Sequence, residues 1–301
     1  MYDIIIIGGG PAGLTAALYA KRANKSVLII EKATFGGQIT YSPKVENIPG
    51  FLSLSGNEFA EKLTEQILEQ GADVEIAEVT DIKDGETKTV ITDCGEFEGK
   101  SVIIATGAKH RLLGLDREKD FIGEGISFCA VCDGAFYENK TVAVIGGGNS
   151  ALQEALLLSD LAKKAFVIQN LDFLTGEQKL ADQLYSKQNV EVMLGTVVDS
   201  ILGNTEFEGI TVKSEKSGEK TNLLLDGMFI AIGLVPQNEP FAKYVRLNDW
   251  GYVDAGEDCK TSCNGIFVAG DCRSKRIRQV VSAASDGAVA ALAACDYIDG
   301  K

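Results

Sequence analysis

Short runs of apolar residues alternate along the chain with segments of helical spacing. Residues 4–7 are four consecutive isoleucines running into Gly8, and residues 27–30 form a second apolar run that ends at Glu31. Between them, residues 14–22 are rich in Ala and Leu and carry helical character. Continuous apolar runs bounded by glycine or charge predict strands covered on both faces, here joined through a helix into a βαβ unit. Residues 59–70 have the spacing of an amphipathic helix, and residues 74–79, with the stretches around Val90 and Phe97, predict strands separated by turns. Residues 102–106 predict another strand, which ends in Gly107.

The pattern then starts again. Residues 141–145 predict a strand, 152–162 a helix and 165–168 a strand, with further strands over 190–194, 197–202, 209–212 and 228–232. Pro236 and Pro240 mark a return crossing. Residues 266–269 predict a strand capped by Gly270 and Asp271, and 280–294 a helix of small residues. The predicted fold class is α/β: two Rossmann-like nucleotide-binding domains of three layers (ββα), the second inserted into the first. The first domain takes residues 1–112 and 245–301, and the second takes 113–244.

Each half carries a glycine fingerprint in the place where such a motif has a physical use. Gly8-x-Gly10-x-x-Gly13 follows the first strand, and Glu31 stands 18 positions after the last glycine. The first glycine allows the tight turn, the second lets backbone approach a pyrophosphate, and the third lets helix and strand pack closely. The pyrophosphate meets the amides of a helix N-terminus, and Glu31 accepts from ribose hydroxyls. The second fingerprint is Gly146-x-Gly148-x-x-Ala151. Shortly before it stands Cys129-Ala130-Val131-Cys132-Asp133. A Cys-x-x-Cys loop can close a short disulfide and exchange with another dithiol, while two structural cysteines or half a zinc site are the plainer alternatives. Asp133 precedes Gly134 and also suits a turn. Asp271, at a strand end where open α/β sheets bind ligands, is a candidate ligand or a turn acid.

Composition narrows the choice. A chain of 301 residues with 45% hydrophobic positions suffices for about two cored domains. The net charge of −14, from 43 acidic and 29 basic residues, argues against a nucleic-acid surface. The first residues lack the basic region and cleavage site of a signal peptide, and no apolar run nears the ~20 residues that cross a bilayer. A soluble cytoplasmic protein without membrane contact is expected. Seven cysteines and one histidine, His110, give no metal-ligand set, even with Cys259 and Cys263 close together. No metal site is expected; Cys94, Cys272 and Cys295 are expected to be small buried hydrophobes, and His110 a solvated surface residue. Arg273, Lys275, Arg276 and Arg278 form a local basic cluster in an acidic chain.

Taken in order, these pieces resemble the low-molecular-weight thioredoxin reductases over essentially the whole length. The resemblance is carried by Gly8–Gly13, Gly36-Gly37-Gln38, Glu46-Asn47-Ile48-Pro49-Gly50, Ala105-Thr106-Gly107 and Phe128-Cys129-Ala130-Val131-Cys132-Asp133-Gly134. Gly146–Ala151, Ala231-Ile232-Gly233, Gly265-Ile266-Phe267-Val268-Ala269-Gly270-Asp271 and Arg278-Gln279 complete it. The resemblance implies a homodimer holding FAD. Its FAD residues map onto Gly8, Gly10, Pro11, Ala12, Gly13, Glu31, Lys32, Gly36, Gly37, Gln38, Asn47, Ala105, Thr106, Gly107, Gly270, Asp271, Arg278, Gln279 and Val280. It further implies that Cys132 faces the flavin, that Cys129 attacks the thioredoxin disulfide, and that Asp133 moves the proton.

One stretch departs from the family pattern. Members that use NADPH follow the strand of the second domain with a His-Arg-Arg run that holds the 2'-phosphate. Here Gln169-Asn170-Leu171-Asp172-Phe173-Leu174 contains no Arg, Lys or His, so a phosphate would lack its charge-assisted hydrogen bonds. The chain is therefore most similar to the ferredoxin-dependent flavin thioredoxin reductases, with reduced ferredoxin as donor, thioredoxin as acceptor and no pyridine nucleotide. An NADPH-dependent reductase drawing on Lys163, Lys164 or Lys179 is the alternative, and a flavin reductase for another protein or low-molecular-weight disulfide a further one. A non-enzymatic flavin redox sensor is the remaining class. Arg273, Lys275 and Arg276 are the expected docking patch for an acidic ferredoxin.

Overall fold

In the computed structural model, which describes residues 1–42 and 44–301, the opening isoleucines lie in strand Tyr2–Ile7 and serve two cores. Side chains of a strand alternate between faces. Ile4 and Ile6 accordingly enter one apolar cluster with Val27, Ile29 and Ile103, while Ile5 and Ile7 enter another with Leu28, Ile30, Val102 and Ile104. Both faces of the sheet are thus covered at its centre, which is why residues 4–7, 27–30 and 102–104 are apolar throughout. The helices are α1 (Pro11–Arg22), α2 (Gly56–Glu69), α3 (Ala130–Asp133), α4 (Asn149–Leu161), α5 (Gln178–Tyr185) and α6 (Val280–Asp299).

The chain forms two compact units: Met1–Lys109 with Val235–Lys301, and His110–Leu234. In the first unit, strands Asp73–Ile76, Val27–Glu31, Tyr2–Ile7 and Glu96–Ile104 run in parallel in that spatial order. On the side away from Tyr2–Ile7, Glu96–Ile104 is shared between two further partners. Its second half pairs in parallel with Ile266–Val268, and its first half pairs antiparallel with Lys88–Thr92, which continues to Val79–Lys83. The antiparallel ribbon supplies Ile82 and Val90 to one face of the sheet, and α1 and α6 cover the other. These two helices come very close: a β-carbon on Gly287 would stand 2.1 Å from the carbonyl oxygen of Ala12, so only glycine fits there.

The second unit repeats the layers. Val190–Met193, Lys164–Ile168, Thr141–Ile145, Gly227–Ile230 and Ile126–Ser127 form a parallel sheet in that order. Val142, Val144, Ala165 and Val167 face α4, while Ala143, Ile145, Phe166 and Ile168 face Ile210 and Val212 of an antiparallel three-stranded sheet. The architecture is the expected α/β fold with Rossmann-like domains. The two ends of the second unit meet, with the Arg111 amide donating to the Gly233 carbonyl at 3.0 Å.

Sequence patterning misplaced some details. The expected strand over 74–79 is two strands, Asp73–Ile76 and Val79–Lys83, and the last helix runs to Asp299. Cys272 and Cys295 are buried, but Cys94 is exposed, in a turn where it meets the Thr92 hydroxyl. His110 is not a solvated residue: its ring stacks on Phe128 at 4.4 Å, and burial pushes its pKa down to about 4.

Candidate functional site

The glycine turn of the first unit is built by the sequence around it. Gly8 has φ +111°, and a β-carbon there would meet the Ala105 carbonyl oxygen at 2.3 Å, so the turn needs glycine for both conformation and space. Pro11 opens α1 as its first residue, and neither a capping side chain nor an acid occupies that first turn. The helix amides there are left for an anion. The Gly9 amide donates to one oxygen of Glu31 at 2.7 Å, and the Ala33 amide donates to the other at 3.0 Å. Gly36, Gly37 and Gln38 are brought to the same turn, with the Gly36 amide donating to the Gly9 carbonyl at 2.8 Å. Ala12 lies against Gly270, and the Ala105 amide donates to Ile7 at 2.8 Å. Thr106 donates from its hydroxyl to Asn238 at 3.3 Å, just before Gly107. Lys32 is engaged with Glu78.

A second set lies at the start of α6. Gln279 caps that helix with Ser282, and its side-chain oxygen accepts from the Asn47 amide group at 3.3 Å. Val280 packs against Val45, Ile48, Leu54 and Phe59. The Arg278 guanidinium lies 4.3 Å from the centre of the Tyr252 ring, and its Nε is buried without a hydrogen-bond partner. Asp271 has one buried oxygen in the same condition. Burial pushes its carboxyl above the usual range, against the pull of Arg278 and Lys275. Asp271 caps no helix. A buried acid and a buried guanidinium nitrogen, both unpartnered, together with an acid-free helix N-terminus, fit a flavin dinucleotide with hydroxyl, phosphate and ring polar atoms to satisfy.

In the second unit, Cys129 and Cys132 form a disulfide across α3, with their Cα atoms 5.3 Å apart. The Cys129 sulfur accepts from the Cys132 amide at 3.2 Å, capping the short helix. Asp133 is the last residue of α3, not part of an open turn, since Gly134 continues into a 3-10 turn. Its carboxylate accepts from the Ser127 hydroxyl at 2.5 Å, and that same hydroxyl accepts from the Cys129 amide at 3.1 Å. Burial raises the Asp133 carboxyl, and the Ser127 hydrogen bond offsets part of the rise. The sequence motif does not reveal Ser127, which becomes visible only once Asp133 is seen to turn back onto it.

The second glycine turn is covered much as the first is, where Phe35 lies 2.5 Å from the β-carbon position of Gly9, but by different side chains. Gln169 stands where Glu31 stands in the first unit, but its side chain is 5% exposed and lies against Gly147, 2.6 Å from where a β-carbon would be. Its amide group donates to the Phe173 carbonyl at 3.3 Å. Thr175 and Gly176 both donate to the Gly147 carbonyl, at 2.8 and 2.9 Å. At the start of α4, Asn149 accepts from the Glu177 amide at 2.7 Å and donates to the Glu177 carboxylate at 3.3 Å. Lys164 is taken up by Glu191 at 2.8 Å.

The basic cluster is not an exposed patch. Arg273 and Lys275 have side chains 2% and 7% exposed, and both donate to Asp286 of α6, at 2.9 and 2.8 Å. Spacing along the chain recorded the charges but not the buried acid that draws them inward. Arg276 is exposed. Among the described residues no group of His, Cys, Asp and Glu is arranged to hold a metal ion, and no helix is long and apolar enough to cross a membrane.

This fold, with a disulfide-bearing unit and a dinucleotide-fitting unit, is found in known proteins. Residues 2–287 match the pyridine nucleotide-disulphide oxidoreductase family, and the chain belongs to it. Similar proteins include the thioredoxin reductase of Treponema pallidum, 41% identical over 99% of this chain and 97% of that protein. The "34.2 kDa protein in rubredoxin operon" of Clostridium pasteurianum is 40% identical over 99% of this chain and 98% of its own length. The thioredoxin reductase structure from Streptococcus pyogenes MGAS5005 superposes with a TM-score of 0.95 at 38% identity, covering 100% of this chain and 99% of that one. Within the family, the chain is a flavoprotein disulfide oxidoreductase of the thioredoxin reductase type, and its cofactor is FAD.

Proposed function

We propose that this enzyme carries electrons from reduced ferredoxin through FAD and the Cys129–Cys132 pair to thioredoxin, without a pyridine nucleotide, as a homodimer in the cytoplasm. The observation that carries this reading is which side chains line the second glycine turn: Gln169 stands where Glu31 stands in the first unit, while the covering itself is alike, Phe35 and the Gly36 amide meeting Gly9 as Gln169 and the Gly176 amide meet Gly147. A 2'-phosphate would find no cation among residues 169–174, and Asp172 would repel it. The Glu177 carboxylate also sits beside the first residue of α4, where a pyrophosphate would need the helix's positive end. The first turns of α1 and α4 themselves hold no acid. Arg273 and Lys275, being buried, play no part in docking a donor.

Gly8, Gly10, Gly13 and the start of α1 would hold the FAD pyrophosphate, Glu31 its ribose, and Asp271, Arg278 and Gln279 the flavin half. Bound FAD accepts and gives one or two electrons, so it suits a one-electron donor and a two-electron disulfide. The rest is sulfur and proton chemistry. In the dithiol form, the Cys129 thiolate attacks one sulfur of the thioredoxin disulfide, and a mixed disulfide forms as a thioredoxin thiolate leaves. The Cys132 thiolate then attacks Cys129, which restores the internal disulfide and frees the second thioredoxin sulfur. Asp133, raised by burial, gives a proton to the leaving sulfur, and Ser127 fixes its direction.

The test is the reduction of the bound flavin, without oxygen, by NADPH, NADH or reduced ferredoxin, followed by thioredoxin turnover. Fast reduction by ferredoxin and none by either nucleotide is expected. Reduction by NADPH at a comparable rate would overturn the donor assignment and support an NADPH-dependent reductase.

A further inference from the structure

Ser127 is bonded to both ends of the cysteine loop. It ends the strand Ile126–Ser127, pairs with Phe229 in the parallel sheet and is 4% exposed, so the sheet fixes where its hydroxyl lies. The hydroxyl oxygen accepts from the Cys129 amide at 3.1 Å, and its hydrogen goes to Oδ2 of Asp133 at 2.5 Å. One buried side chain thus ties the first cysteine to the acid that follows the second.

The two oxygens of Asp133 are left in different conditions. Oδ2 has Ser127, whereas Oδ1 is buried with no hydrogen-bond partner. A hydroxyl has one hydrogen to give. Were Asp133 protonated on Oδ2, that proton would take up the contact with Ser127, and the Ser127 hydrogen would have to turn away. Among the described residues that hydrogen has no second acceptor, and a buried donor without one is costly. The proton of Asp133 therefore belongs on Oδ1. Burial, which raises the Asp133 carboxyl, favours the protonated form. The buried O–H on Oδ1 lacks an acceptor while the disulfide is closed, and a thiolate released at the cysteine pair supplies one.

We propose that Ser127 is a positioning residue for proton delivery: held by the Cys129 amide, it occupies Oδ2 of Asp133 and so keeps the transferable proton on Oδ1. This rests on Asp133 giving the proton in the exchange described above. In that step the Cys129 thiolate bonds to one thioredoxin sulfur, and the electron pair of the broken S–S bond goes to the other. That sulfur takes the proton from Oδ1. The carboxylate left behind keeps its hydrogen bond from Ser127 and regains a proton from solvent.

The test compares two reactions of the same thiolate. FAD-loaded enzyme is reduced without oxygen by light and a deazaflavin, then mixed with saturating oxidised bacterial thioredoxin or, separately, with iodoacetamide. Iodide leaves Cys129 alkylated without needing a proton, whereas a thioredoxin sulfur leaves as a basic thiolate. Both rates are read by acid quenching and mass spectrometry of the cysteine peptide, with the flavin spectrum and circular dichroism as controls. Ser127→Ala is expected to slow exchange with thioredoxin by about tenfold or more, a share of the ~10²–10⁴ that a positioned acid supplies, and to change alkylation by less than about twofold. In an Asp133→Asn background, the Ser127→Ala change is expected to add no further loss, since both act through one proton. Unchanged exchange, equal slowing of exchange and alkylation, or the same loss again in the Asp133→Asn background would overturn the role of Ser127 alone. Normal exchange by Asp133→Asn would overturn the proton role on which it rests. A disulfide that stays closed in light-reduced wild type would overturn the redox-centre reading itself.

Discussion

His110 is the chain's one histidine, and its environment makes it an acid-sensitive point. Stacked on Phe128, its ring has a pKa of about 4 against an ordinary 6.5. Between those values the unfolded chain holds a proton that the folded one does not. Stability is then full above about 6.5 and falls as pH drops toward about 4, by up to about 3 kcal/mol. His110→Phe keeps an aromatic ring on Phe128 and removes the proton. Urea unfolding at several pH values is expected to show the variant losing less stability than wild type across that window. Equal losses would mean that the ring is charged in the folded state. Sequence could not have shown this, because a histidine just after a strand end reads as exposed, and its burial comes from Phe128, 18 positions further on.

At the scale of the elements, much was legible, because it rests on local rules. The isoleucine run, the glycine turns and the acid after the second strand all read directly as a βαβ unit. What stayed illegible depends on partners distant in the chain. The fate of Arg273 and Lys275 is set by Asp286, one side of a close pair of helices. Burial alone would raise the Asp286 carboxyl, but hydrogen bonds from Arg273 and Lys275 hold it below the usual range. Asp286→Asn leaves Lys275 buried with a neutral partner and Arg273 with only the exposed Glu257 carboxylate, 3.3 Å away, which costs about 3–5 kcal/mol, measurable as a lower urea midpoint with an unchanged slope. The wild-type advantage is present above the ordinary aspartate range and is lost as pH falls through the lowered value. A loss near zero would show that the cations find water instead. Ser127 was hidden for the same reason: a Ser before a cysteine motif gains meaning only from what packs beside it.

For the whole molecule, the insertion has a direct test. The ends of His110–Leu234 are joined by a backbone hydrogen bond, and the unit carries its own apolar clusters on both faces of its sheet. Close ends and a self-contained core are what an autonomously folding domain needs. Residues 110–234 expressed alone are expected to unfold in a single cooperative step and to form the Cys129–Cys132 disulfide, read by calorimetry and thiol counting. A chain that stays unfolded would show that the second unit depends on the first.

Gln169 lying against Gly147 also bears on how long such a protein lasts. A domain that awaits a ligand is stabilised by an amount that grows with the logarithm of that ligand's concentration. A side chain tethered within the same unit is present at full strength always. If the second unit takes no nucleotide, as proposed, its resistance to unfolding and proteolysis is uncoupled from the cell's nucleotide supply, while the first unit, built around FAD, still answers to the supply of flavin.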